Sequence, residues 1–165
     1  MDPAFLVDGM LGNLNRWLRI CGFETRYLQS APDEELIELA SEGGLTLLTR
    51  DRTLFMKAQR AGLRAFLVGG SGDAEELASV ARRFGLELAS RISRCTSCGA
   101  SLNPAGREEV RELIPEGSFR VYDEFWVCGK CRKVYWRGSH WKNILETVSE
   151  ASRIAGRESG PEQDL

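Results

Sequence analysis

The chain carries two thiol pairs, Cys95-x-x-Cys98 and Cys128-x-x-Cys131. Each C-x-x-C turn lets two thiolates grip one ion, and Gly99 and Gly129 ease the two knuckles. Two such knuckles complete a tetrahedral zinc site of the closed, structural kind, with no position left for a substrate. A redox dithiol is the rival use of one pair; two matched pairs among aromatic strands argue against it. The leftover cysteine, Cys21, lies in the apolar-rich "WLRICGF" and reads as a small core residue. An odd count of five, with two such pairs, points to metal binding in a reducing compartment rather than to a disulfide framework.

Three acids form a second set. Asp8 directly follows the apolar "AFLV", Asp51 lies two residues past "LTLLT" (45–49), and Asp33 stands at the start of "DEELIELA". If the strands run parallel, the sheet delivers Asp8 and Asp51 to one edge, where open parallel sheets bind ligands. Asp33 joins them only if the loop before its helix folds back over that edge. Carboxylates gathered there repel one another unless a cation joins them, and Mg²⁺ or Mn²⁺ suits such oxygen donors. A divalent ion can orient and activate water and neutralise charge developing on a phosphate, which is the chemistry of phosphodiester hydrolysis. Arg50 and Arg52 then read as phosphate contacts or braces. Arg16 and Arg19, on the polar side of the helix after Asp8, read as carriers of a nucleic-acid backbone.

Each acid also has a structural reading. Asp8-Gly9 is a common turn, and Asp33 is an ordinary first-turn helix acid. Asp51 could pair with Arg50 or Arg52, or cap a helix beginning near Thr53. Asp73, after "VGGSG", reads as the cap of the helix that follows it. That loop lacks the lysine and spacing of a phosphate-binding P-loop.

The elements that must position these residues alternate. "AFLV", "TRYL", "LTLLT" and "RAFLVGG" read as strands, the third apolar enough to be buried on both faces. Between them lie "LGNLNRWLRICGF", "SAPDEELIELASEGG" and "TLFMKAQRAG", and after them "DAEELASVARRFG", all with helical apolar spacing and a glycine stop. Strand–helix alternation over residues 1–92 implies a parallel sheet with helices on its faces.

The texture changes after residue 92. Residues 93–138 read as a zinc ribbon: "FRVYDEFWVC" and "RKVYWRG" as hairpin strands, and "GREEVRELIPEGS" as a short helical excursion and loop. Bases among its aromatics, with Lys133, Arg137 and His140 the clearest, suit phosphate attraction and base stacking on a single strand. Packing of the ribbon competes for the same aromatics. His140, the single histidine, stands at the start of a final helix over 139–155; it reads either as a fifth metal contact, phosphate donor or general acid, or as an N-terminal helix residue with Ser139 as the cap. Trp141, Leu145 and Val148 mark one side of that helix, with Ile144 and Ala151 close by. The tail, 156–165, lacks apolar residues and reads as disordered.

Bulk properties narrow the setting. The net charge is -2, so no global basic field serves nucleic acid and any attraction must be local. No apolar run is long enough to span a bilayer, and the start "MDPAFLVDGM" has an acid where a signal peptide carries bases. A soluble cytoplasmic protein without a membrane partner is expected.

Taken in order, "FLVDGMLGNLNRWLRICGF", "DEELIELA", "LLTRDRTL", the two cysteine knuckles and "YWRGSHW" resemble the PIN-like RNase domain found at the C-terminus of mutator-type exonucleases, the Mut-seven C-terminal family with its fused zinc ribbon. The resemblance covers about residues 4–148. It implies a PIN-like parallel sheet and a metal-dependent nuclease acting on RNA. It places the family's strand-end acid at Asp8, its helix-start acid at Asp33 and its T-[RN]-D acid at Asp51. A further acid late in the PIN pattern has no clear match at Asp73. The competing function is a module on the same fold that binds RNA or protein without chemistry.

Overall fold

The computed structural model describes residues 2–156. The predicted disordered tail lies, beyond Gly156, outside the described residues. Four short strands, β1 (Phe5–Val7), β2 (Thr25–Tyr27), β3 (Thr46–Thr49) and β4 (Ala65–Leu67), pair in parallel in the order β2-β1-β3-β4. The central pair, β1 and β3, is buried throughout. That explains their near-continuous apolar sequence, with only the buried Thr46 and Thr49 of β3 as exceptions: both faces of a central parallel strand are covered by helices.

The covering follows the period-2 alternation of side chains. Phe5, Val7 and Leu48 face a core shared with α1 (Gly12–Ile20), α4 (Asp73–Phe84) and α7 (Trp141–Gly156). Leu6 and Leu47 face the other way, against Leu36 and Ala40 of α2 (Asp33–Gly43) and Leu54 and Ala58 of α3 (Arg52–Arg60). The expected alternation of strand and helix is therefore present. A 3₁₀ turn, Gly9–Leu11, leads from β1 into α1. Asp73 differs from its predicted role: the cap position is Gly72, and Asp73 is the first residue of α4, making no side-chain cap bond.

The second sheet is antiparallel, in the order β5-β6-β7: β5 (Leu102–Ala105), β6 (Phe125–Cys128) and β7 (Val134–Tyr135). Between β5 and β6 lie α5 (Arg107–Val110) and α6 (Glu116–Val121). Two details depart from the predicted hairpin. "FRV" belongs to α6, because Pro115 and Glu116 start a helix there and Phe119 packs on the ribbon core, under the Arg107 guanidinium at 4.2 Å. β5, "LNPA", has no strand-like composition; its proline is tolerated on an edge strand.

The last helix buries part of its expected side. Ile144, Val148 and Ala151 contact the main core as α7 lies on α4, whereas Leu145 stays 46% exposed. Burying the small Ala151 lets the two helices approach closely. No helix of the described residues is long and apolar enough to cross a membrane.

Candidate functional site

The strand order β2-β1-β3-β4 reverses direction between β1 and β3, and open parallel sheets bind ligands in the crevice beyond such a switch point. Asp8 follows β1 and Asp51 follows β3, so the two acids flank that crevice on adjacent strands. Thr49, the last residue of β3, joins them. Its buried hydroxyl donates to Asp8 Oδ2 at 2.8 Å and accepts the Asp51 backbone N–H at 3.0 Å.

Asp51 caps α3. Its Oδ1 accepts the backbone N–H groups of Thr53 at 2.8 Å and Leu54 at 3.2 Å. It makes no ion pair with either neighbouring arginine: Arg50 instead reaches Glu76 at 2.9 Å and the Gly70 carbonyl at 2.8 Å. Arg52 is exposed at the start of α3. Among the described residues, Asp8 Oδ1 and Asp51 Oδ2 accept no hydrogen bond, so each acid keeps one oxygen for a further ligand.

Asp33 opens α2, which runs back from the end of β2 to the start of β3. The loop before it does fold over the strand ends. A Cβ at Gly9 would lie 2.3 Å from the Gln29 carbonyl oxygen, so that approach requires glycine. The Asp33 carboxylate, however, is held by Lys57 of α3 at 3.1 Å. The Lys57 ammonium is held charged above its ordinary range, first by the Asp33 hydrogen bond and charge, with smaller help from Glu34 and Asp51. The acids therefore do not form a tight trio. Among the described residues, the four cysteines are the group of potential metal-ligating side chains drawn within 4.8 Å of one another.

Those four thiols have the geometry of a closed metal site. Cys95 and Cys131 sulfurs lie 3.6 Å apart and Cys98 and Cys128 sulfurs 3.4 Å. A tetrahedron with metal–sulfur bonds of about 2.3 Å has edges of about 3.8 Å, so the set fits zinc. Cys128 Sγ accepts the backbone N–H groups of Lys130 and Cys131, both at 3.4 Å, the knuckle expected of C-x-x-C. Burial pushes the Cys95 thiol up, but the Tyr135 hydroxyl at 3.0 Å and the N–H groups of Cys98 and Ser97 outweigh it and hold it at about 6. Cys131 is pushed up to about 11 despite the Lys133 N–H, since burial and its neighbouring sulfurs disfavour another thiolate there. A bound cation removes that repulsion. His140 is exposed and is not part of this cluster.

A parallel sheet with acids at its switch point, continuous with a four-thiol knuckle, is what the sequence resemblance implies. A family model described as "Mut7-C RNAse domain" matches residues 3–148. The chain belongs to this family. Comparisons with curated proteins and with solved structures give no match.

In this Mut7-C chain, Arg19 differs from its expected role as an exposed backbone carrier. It is 5% exposed, because the ribbon docks on the last turn of α1. Its Nε donates to the Thr25 hydroxyl at 2.8 Å, and its terminal nitrogens reach the Thr96 carbonyl at 3.1 Å and the Thr25 carbonyl at 3.4 Å. Thr25 in turn donates to Asn15 Oδ1 at 2.6 Å. Burial pulls the Arg19 guanidinium down, while the Cys98 and Cys95 sulfurs counter that shift. Gly99, at φ +79, lets the knuckle pass so close that a Cβ would lie 3.1 Å from Arg19 Nε. Arg19 thus bridges the Mut7-C sheet layer and its metal knuckle.

The other basic candidates stay at the surface. Arg16 is exposed on α1, and Lys133 donates to the Ser97 hydroxyl at 3.1 Å. Arg137 pairs with Glu124 and lies over Trp126 at 5.0 Å and Trp141 at 5.6 Å. Thr49 and Lys57 carry roles that the residue pattern does not announce, as does the contact of the ribbon aromatic Tyr135 with Cys95. A threonine closing the apolar run "LLT" was a usable signal for Thr49; Lys57 had none, since its partner Asp33 sits on another helix.

Proposed function

We propose that this Mut7-C domain is a metal-dependent ribonuclease that hydrolyses RNA phosphodiester bonds at the edge carrying Asp8 and Asp51. The observation that supports this most is their adjacency at the β1/β3 switch point, each with one carboxylate oxygen left open. Mg²⁺ or Mn²⁺, when bound there, supplies activation of water and neutralises charge on the phosphate. Asp8 and Asp51 would hold that ion; Asp33 adds a third carboxylate only by releasing Lys57. Thr49 fixes the orientation of Asp8, and the α3 N-terminus fixes Asp51. Arg52, exposed beside Asp51, offers a phosphate contact. Zn²⁺ on the four cysteines holds the ribbon together, and the reduced thiols suit a cytoplasmic setting.

The purified protein is expected to cut single-stranded RNA with Mn²⁺, and Asp8→Asn with Asp51→Asn to abolish cutting. Equal cutting by that double variant sinks the assignment. One observation favours a second reading, a non-catalytic RNA-binding module: Lys57 already neutralises Asp33 and leaves the acidic edge with two open carboxylates rather than three. RNA binding without product under every divalent metal would select it.

A further inference from the structure

Two adjoining cavities, of about 170 and 400 Å³, share walls made by Arg16, Tyr135, Trp136, Trp141 and Ile144. Together they form one groove between the exposed side of α1, strand β7 and the start of α7. Arg16, Arg91, Arg94 and Lys133 line its first part, and no carboxylate lines either part. In a chain with more acidic residues (24) than basic ones (22), this segregation is selective.

Some cations elsewhere on the surface are paired, while others, Arg52 and Arg60 among them, stand apart from one another rather than around one cavity. Arg50, Lys57, Arg107, Arg137 and Arg153 each meet a carboxylate. None of the four groove cations does so among the described residues. Arg94 is held by the Gly22 and Gly99 carbonyls and Lys133 by a hydroxyl, while Arg16 and Arg91 make no side-chain hydrogen bond. Four like charges around one cavity repel one another, and an anionic ligand relieves that repulsion. The aromatic wall narrows the choice of anion. Arg137, stacked on both Trp126 and Trp141, steadies the Trp141 ring as a platform. Cations beside aromatic platforms bind backbone phosphates and stacked bases of a single strand. A groove this small admits single nucleotides, whereas duplex RNA is read as a shape spanning successive grooves.

The groove also has a direction. Arg16 lies about 6 Å along α1 from its start, which stands just past Asp8. We propose that this groove binds single-stranded RNA, with phosphates on Arg16, Arg91, Arg94 and Lys133 and a base on Trp141, and leads the strand along α1 to the Asp8–Asp51 edge. The choice of RNA rests on the ribonuclease reading; the binding chemistry does not.

The test is fluorescence anisotropy of a labelled oligouridylate with the zinc-loaded full chain carrying Asp8→Asn and Asp51→Asn, without added Mg²⁺ or Mn²⁺. Cleavage therefore cannot affect the readout. Adding Arg16→Ala and Arg91→Ala, two exposed positions without partners, is expected to raise Kd about tenfold and to lower the salt-dependence slope by about 1.4, or 0.7 per lost phosphate contact on a single strand. Trp141→Ala is expected to weaken binding by about tenfold, from lost stacking. Arg60→Ala, exposed on α3, should leave Kd unchanged. Binding by the Arg16/Arg91 variant equal to the parent overturns the proposal, as does an equal loss with Arg60→Ala. A Kd for polyglutamate matching that for RNA overturns it too, by pointing to an acidic protein partner. If binding fails in the groove variants while the Asp8–Asp51 pair proves inactive, the groove stands and the ribonuclease reading falls.

Discussion

Thr49 and Asp8 are locked together: the buried threonine hydroxyl donates to Asp8 Oδ2 at 2.8 Å while accepting the Asp51 N–H at 3.0 Å. One hydroxyl therefore sets the relation between the two strand-end acids. Thr49→Val keeps the shape but leaves the Asp51 N–H without an acceptor and Asp8 without a donor. It is expected to lower stability by about 1–3 kcal/mol. Thr49→Ser should retain most of it. Urea unfolding of the two variants checks this, and equal midpoints would show that the hydroxyl is not what matters.

Asp51 has two separable tasks. As the α3 cap it takes two backbone N–H groups, which asparagine can also accept. Asp51→Ala is expected to cost about 1 kcal/mol, and Asp51→Asn much less. Cleavage should be lost in both. Unfolding midpoints measured beside RNA cleavage distinguish the cap from the charge.

Arg19 ties the ribbon to the sheet layer. Arg19→Met leaves the Thr96 and Thr25 carbonyls without their donor and removes the cation beside the thiolates. A loss of about 2 kcal/mol is expected, with faster release of zinc to a chromogenic chelator. Arg19→Lys should not restore it, because a single ammonium cannot span acceptors that a planar fork reaches. Zinc release at the parental rate from Arg19→Met would remove the proposed coupling.

Metal removal should act on the ribbon first. Elemental analysis is expected to find one zinc per chain, and Cys128→Ser to lose it. The Tyr135 hydroxyl and Cys95 Sγ share a hydrogen bond, and Cys95, Leu102 and Cys128 form a small core of their own. Stripping the ion should therefore abolish the aromatic near-ultraviolet signal of the ribbon. The far-ultraviolet signal of the helices around the parallel sheet should largely survive. Full retention of both signals after chelation would contradict a structural metal.

Cys21 gives a pH dependence of known sign. Burial raises its thiol from the ordinary 9.0 to about 11. The unfolded chain thus releases this proton first, and alkali favours unfolding. The stability is full below about pH 9 and is lost as pH rises through about 11. Urea midpoints at pH 8 and 10.5 should diverge less in Cys21→Ala than in the parent. A thiol reagent should reach Cys21 only on unfolding.

Much of the layout is legible in the residues. "AFLV" and "LTLLT" must be buried on both faces, since no polar alternation offers water a side. The acid-first starts "DEEL" and "DAEEL" and the stops at Gly44 and Gly85 bound α2 and α4 closely. The four cysteines meet as their spacing implies. Less legible are β5, whose "LNPA" becomes a strand only by pairing with β6, and "FRV", whose alternation is overruled by the helix start at Pro115 and Glu116.

Local chemistry by itself determined that Asp8 and Asp51 each stand just past an apolar strand, that strand and helix alternate as a parallel sheet requires, and that two C-x-x-C turns suit one ion, because each is written in the residue pattern along the chain; the adjacency of β1 and β3 came from the tertiary structure. Only the tertiary structure decided which charges remain available. Arg16 and Arg19 look alike on α1, yet the docked ribbon buries Arg19 and leaves Arg16 open. Asp33 looks like Asp8, yet Lys57 from another helix claims it. Such pairings depend on which surfaces meet across the chain, and desolvation and charge neutralisation at those meetings decide each residue's role.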